Sequence, residues 1–448
     1  MTYVISYQGQ FDQSKLMRSH LLSAIRAGWA LPAWRSRRGS VAILVAVVLV
    51  VLLGFVALGT EVVALLMTSR QMQSAADSAA LAAAAARTQG YPTAYANEAV
   101  ALARDAGFVN GATNPDTTVA VNSPPVSGAY AGNAAAVQVV ITQVRPMLLS
   151  ALSHNAAYTL TASAVGLTGE PGACALALRT FGSPSQTIYV DNNVQTHLNG
   201  CGVAANSTSS SAILAKGGAD LFASWLNVVG NTSISGGAVI NITGATRTFA
   251  TAVANPYAAR VLPTPQTCFG NNAGVVNFQN VALPPGTYCG NGINIGNFST
   301  VTLSGVYFLK DSNFVVNAST VSGTATIVLG TLGNGSAVGS VTVGNFATLN
   351  LTAPGPGMAT AGMVFFQDIR APNTGINDFT NAASVTVNGA VYFPNTELRF
   401  DSGSSTASVC TQLIAGKIDL ARGNTTISGN CAGYGTLPAG GNPGRLVE

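Results

Sequence analysis

The sequence predicts an α+β chain: a single N-terminal transmembrane helix extended by an alanine-rich stalk, a small α/β unit, and a C-terminal all-β domain. That last domain reads as a right-handed β-solenoid, with a β-sandwich as the alternative. Three observations carry this prediction. Val41 to Gly59 is a run of 19 residues without a polar side chain. An alanine-rich helical segment, SRQMQSAADSAALAAAAARTQG, follows at 69–90. From Cys174 onward, Gly, Asn, Ser, Thr and Val recur in a repeated strand-and-turn template.

Residues 1–37 read as a basic cytoplasmic tail. Lys15, Arg18, Arg26, Arg35, Arg37 and Arg38 stand against Asp12 before the apolar run, whereas residues 60–105 hold three basic and four acidic groups. This asymmetry keeps the N-terminus in the cytoplasm and exports the rest. At about 1.5 Å rise per residue the apolar run crosses most of a roughly 30 Å hydrocarbon layer as a helix. A cleavable signal has an apolar core of only about 7–15 residues, so the segment reads as a retained anchor. Ala, Gln, Met, Leu and Arg carry the helix onward, and Gly90 with Pro92 stops it, giving one helix of about 45 residues within 38–90. Glu61 sits at the membrane interface, where its carboxylate reaches water or headgroups.

Residues 91–167 read as a small α/β, pilin-like unit. TAYANEAVALARDAG is helical in pattern, TTVAVNS, AAAVQVVITQV and YTLTASAVGL alternate as strands, and RPMLLSALS between the last two reads as a short helix. The turn-rich GLTGEPG closes the unit.

Residues 172–448 form the β domain. INIGNFSTVTL at 293–303 and VTVGNFATLNL at 341–351 share a template of β-branched positions, Gly-Asn-Phe, a small residue, Thr and a terminal Leu. Related segments recur with a spacing near 20, as from Leu398 to Ile418. A period of that size implies stacked coils, with Val, Ile, Leu and Phe in a shared core and Asn, Ser, Thr and Gly at the bends. All six cysteines, Cys174, Cys201, Cys268, Cys289, Cys410 and Cys431, lie in this domain and none forms a CxxC pair, which favours disulfides over zinc. Cys268 to Cys289 and Cys410 to Cys431 each span 21 residues, about one coil. Positions one coil apart stack at about 4.7–5 Å, within reach of a disulfide. Those two bridges are expected, with Cys174–Cys201 by elimination.

Composition narrows the function. Without the first 38 residues the chain has fourteen basic and fifteen acidic groups, so the basic balance belongs to the tail and nucleic acid is not an expected partner. His20, His154 and His197 are far apart in sequence and assemble no catalytic constellation. Asp401 to Ser405 loosely imitate a D-x-G-x-S metal loop, but the strand-like TASVCTQLIA follows where such a loop leads into a helix. No metal, cofactor or enzymatic activity is expected.

Arg38 to Ala86 resembles the N-terminal module of TadG-like proteins of the tight-adherence, or Flp, pilus assembly system. The resemblance rests on the RRGSVAIL entry, the LLGFVALGTEV exit and QMQSAADSAALAAA, with Arg38, Gly39, Gln73, Ala75, Ala76, Asp77, Ala79, Ala80 and Leu81 on the family's pattern. CALALR, LNGCGVAANS, LPPGTYCG and GMVFFQD extend a fainter resemblance into the β domain. Thr60 and Glu61 stand where relatives often carry Asp, no von Willebrand A insertion is present, and Leu44 replaces the Glu that pilin processing after Gly39 would require. The resemblance implies a non-enzymatic, single-pass protein of a bacterial inner membrane. Its C-terminal domain would be periplasmic, and it would assist Flp pilus assembly or anchoring and tight adherence. Its partners would be the lipid bilayer and other pilus-assembly membrane components, met through the Ala-rich helix. The alternative is an envelope glycan-binding or polysaccharide-acting β-solenoid.

Overall fold

The computed structural model describes residues 39–448 except 90, 92, 114, 148–156, 181–185, 334, 345, 404–407, 443 and 448. The basic tail, Arg38, His20, His154, Ser404 and Ser405 lie outside the described residues. The chain divides into two compact units, one up to Leu65 and one from Leu66 to Glu448.

α1 runs unbroken from Gly39 to Thr88 over 50 residues, slightly longer than the sequence pattern indicates. Its first part is apolar on every side: Val41, Leu44, Val50, Phe55 and Leu58 are 58–69% exposed. A helix apolar all round needs an apolar solvent, and this one is long enough to cross a membrane.

In the second unit, α2 (Tyr95–Asp105) precedes a small antiparallel sheet of β1 (Ala112–Thr113), β2 (Asp116–Asn122), β3 (Ala136–Pro146) and β4 (Ala157–Leu167). The strand Arg445–Leu446 joins this sheet beside β4, so the end of the chain returns to its early part. The short helix expected over RPMLLSALS is corrected at its start, where Arg145 and Pro146 continue β3 in register with Tyr158 and Ala157. Most of the remainder of that segment lies outside the described residues.

Between Ala173 and Ser428 every ladder of named strands is parallel, unlike the antiparallel pairing of most β-sandwiches. Three rows recur. In the first, Gly274–Asn277 pairs with Ile293–Gly296, then Phe314–Asn317, Val341–Gly344 and Ile376–Phe379. In the second, Asn280 aligns with Thr300, Thr320, Thr348 and Ser384. In the third, Thr287 aligns with Phe308, Val328, Phe366 and Tyr392. Each passage through the three rows is a rung, and Leu398 faces Ile418 one rung later.

The order of rungs is not the order of the sequence. Thr411–Asp419 pairs on its far side with the beginning of the domain, Leu413 opposite Ala175 and Ile418 opposite Ile188, and Thr425–Ser428 pairs with Gln195–Asn199. The chain therefore enters in the middle of the stack at Ala173 and winds outward to Thr246–Arg247. It then crosses to the other end and winds back from Gly274 to the seam. Residues within the crossing are fastened over the third row: Asn206 exchanges hydrogen bonds of 2.8 and 2.9 Å with the backbone of Val253, and the Tyr257 hydroxyl donates to Gln412 at 2.9 Å. Burial pushes the Tyr257 phenol up to about 12.

Inward-facing residues fill a core between the rows. Phe365 has ring centroids of Phe314, Phe379 and Phe393 at 5.9, 5.2 and 6.1 Å. One expectation about this core is corrected. The Phe of the Gly-Asn-Phe template turns outward at the bend: Phe298 is 82% and Phe346 83% exposed. The backbone explains it, since both residues have positive φ, 60° and 64°, which breaks the in-out alternation of the strand before them.

The cysteines form Cys174–Cys201, Cys268–Cys289 and Cys410–Cys431, with Cα separations of 5.5, 5.8 and 4.6 Å. Cys410–Cys431 fastens the C-terminal segment to the rung at the seam. Closing a loop of 21 residues restricts the unfolded chain, so Cys410→Ser with Cys431→Ser is expected to cost about 3 kcal/mol. Urea midpoints of oxidised wild type and double variant check this, and equal midpoints would refute it.

Candidate functional site

The alanine signature residues lie on one side of α1. Met72, Ala75, Ala76, Ala79, Ala80 and Ala83 recur at the spacing of a single helical stripe, and each is at most 2% exposed. They pack with Ala99 and Ala103 of α2 against Val137, Val139, Ile141 and Ala164 of the small sheet. Alanine gives little burial per residue, but it lets the helix and sheet backbones approach. They come close at Gly166 of β4, where an added Cβ would stand 2.5 Å from the Ala80 carbonyl oxygen.

Polar contacts fix the register. Gln73 donates to Asp77 at 2.8 Å and to the Ser163 carbonyl of β4 at 3.0 Å, while Leu81 is 38% exposed on another side. At the end of α1, Arg87 donates to Ser123 and to the Ala134 carbonyl and lies over the Tyr95 ring, and Thr88 accepts from the Gly169 amide at 2.7 Å. Gly39 begins the helix and Glu61 lies within it. The expectation that the alanine stripe meets other membrane components is therefore corrected, because the chain's own sheet covers it. Gly166→Val is expected to cost about 2–3 kcal/mol, because a backbone oxygen cannot yield as a side chain can. Faster limited trypsin cleavage after Arg87 checks this, and unaltered cleavage would count against the contact.

Charged groups gather near the seam. Glu397 accepts from Arg399 at 2.9 Å and from Lys417 at 3.1 Å, and Asp419 lies 3.6 Å from Arg422 and 4.0 Å from Arg399. Burial pushes the Glu397 carboxyl up, but hydrogen bonds and charge from Arg399 and Lys417 outweigh it and hold the group below its ordinary value. These carboxylates are engaged with cations, an arrangement that ties neighbouring rungs. His197 stacks on Phe222 with centroids 4.5 Å apart. Asp401 accepts from the Gly403 amide at 2.7 Å, and burial raises its carboxyl above the ordinary value. Among the described residues no group of three or more His, Cys, Asp or Glu is placed to hold a metal ion.

Among the described residues one helix, α1, has the length and composition to cross a membrane, and a β-rich region follows it. Residues 39–86, about a tenth of the chain, match the Tad family model, described as Flp pilus-assembly TadE/G-like. No curated protein and no solved structure matches the chain. The sequence signal for the exposed Phe residues was present in the Gly-Asn-Phe template, but its meaning depends on a backbone bend that residue types alone did not reveal.

Proposed function

We propose that this protein is a non-enzymatic component of Flp/Tad-type pilus assembly or anchoring, held in a bacterial inner membrane by α1 and acting in tight adherence. In this reading the N-terminus is cytoplasmic and the β-rich region is periplasmic. The observation that carries it is the Tad-matching segment itself: one helix whose first part is wholly apolar and exposed and whose second part is locked into a folded unit. The two halves have different solvents, which suits a fixed post rather than a diffusing subunit.

The parallel three-row ladder supports a β-solenoid whose rungs vary in length: Thr300 pairs with Thr320, 20 residues on, but Thr348 with Ser384, 36 residues on. Such a body presents long outward rows to the envelope. Since the alanine stripe is occupied, contacts with other assembly components fall to the exposed sides of α1 and to the outer rows of the stack. Deleting the gene is expected to abolish piliation and surface adhesion, and complementation should restore them. Normal pili on the deletion strain would remove the role. A reporter fused after Glu448 tests orientation, and a cytosolic signal would reverse it.

A further inference from the structure

At the bend between the first and second rows, successive rungs place Phe278, Phe298, Ala318, Phe346 and Asn381, all with positive φ between 46° and 64°. The residues stack through the backbone: the Phe278 amide donates to the Asn297 carbonyl, the Phe298 amide to Ala318 and the Phe346 amide to Asn381, at 2.9–3.2 Å. Elsewhere in the stack the corresponding bends carry Asn192, Gly217 and Gly236, residues suited to the left-handed region. Phenylalanine there is sterically unfavourable, and Phe278, Phe298 and Phe346 are also 74%, 82% and 83% exposed. At that exposure the rings bury little area within the fold. Strained, exposed residues of this kind mark a contact with something outside the chain.

The surroundings define its chemistry. Beside the rings, the Asn297 amide donates to the Asn277 side chain at 2.9 Å. The adjoining second row presents Asn280, Thr300, Thr320 and Thr348 in register, a band of amide and hydroxyl groups. Between Arg260 and Asp368 the only charged residues are Lys310 and Asp311. An uncharged surface has no attraction for nucleic acid or an acidic polymer. Its ring faces suit the C–H faces of sugar rings, and its amides and hydroxyls suit sugar hydroxyls. Rings recur along the stack one and then two rungs apart, about 5 and 10 Å, which requires a ligand extended along that axis.

We propose that the row of Phe278, Phe298 and Phe346, with the amide and hydroxyl band beside it, binds an extended neutral polysaccharide. The proposal is independent of the pilus-assembly role. Its test is isothermal titration of the full chain in lipid nanodiscs with hydroxyethylcellulose, laminarin, mannan and dextran, and with polygalacturonate as the acidic comparison. The variant carries Phe278→Gly, Phe298→Gly and Phe346→Gly, which suits the bend and so preserves the fold. Wild type is expected to bind at least one neutral polymer, and the variant at least about tenfold more weakly, with a melting temperature unchanged or raised. No binding to any neutral polymer, preference for polygalacturonate, or equal binding by the variant would overturn the proposal. Self-association of the wild type that the variant abolishes, without glycan binding, would assign the row to a second copy of the chain and overturn it as well.

Discussion

Val50→Arg is expected to release the protein from its membrane. Val50 lies near the middle of the run from Val41 to Gly59 and is 68% exposed, so its side chain has no protein partner to shelter a charge. Exchanging valine for arginine at the centre of a spanning helix costs about 3–4 kcal/mol on an insertion scale, while Val50→Leu costs almost nothing. Carbonate washing of vesicles reads the difference: wild type and Val50→Leu should remain in the pellet, and a large fraction of Val50→Arg should appear in the supernatant. If all three stayed in the pellet, residues 41–59 would not be the anchor.

Phe365→Ala is expected to cost about 3–5 kcal/mol, the usual range for emptying a buried aromatic site. Phe365 is fully buried and touches rings from several rungs, Phe314, Phe379 and Phe393, so the void cannot be closed by moving one neighbour. A lower urea midpoint with all disulfides intact checks this, and an unchanged midpoint would contradict the packing. The comparison with Phe298→Gly is informative because the same residue type plays opposite parts. Removing Phe365 opens the core, whereas removing Phe298 relieves a bend.

Much of this was legible in the residues. The apolar run and the alanine tract each favour helix strongly, and their junction has no breaker before Gly90, so α1 could be read almost to its ends. Both cysteine pairs spaced by 21 residues are bridged, but by different local geometry: Cys268 lies beside Thr287 in a parallel bridge one rung on, whereas Cys410 meets Gly429, two residues before Cys431, in the antiparallel sense. The Tad signature was legible for the same local reason. What covers its alanines was not, because alanine accepts any close neighbour, and only the fold reveals β4 and Gly166 opposite Ala80.

The seam was illegible on similar grounds. Leu413 opposite Ala175 and Ile418 opposite Ile188 are pairings of small and branched apolar residues, as in any other rung, and more than 200 residues separate the partners. Sequence periodicity reports that rungs exist but carries no mark of their order. The return of Arg445–Leu446 to the small sheet is equally silent, being a two-residue strand fixed by backbone pairing.

The mid-stack entrance changes how this protein meets mechanical load. In a stack wound in chain order, the first strand has one neighbour, and tension on its leading end can unzip the body rung by rung. Here Ala173–Ala177 is gripped on both sides, by Gly202–Ala205 and by Thr411–Asp419, with disulfides on either flank. Pull that reaches Ala173 from the N-terminal side must therefore shear two ladders together before this strand can leave the stack.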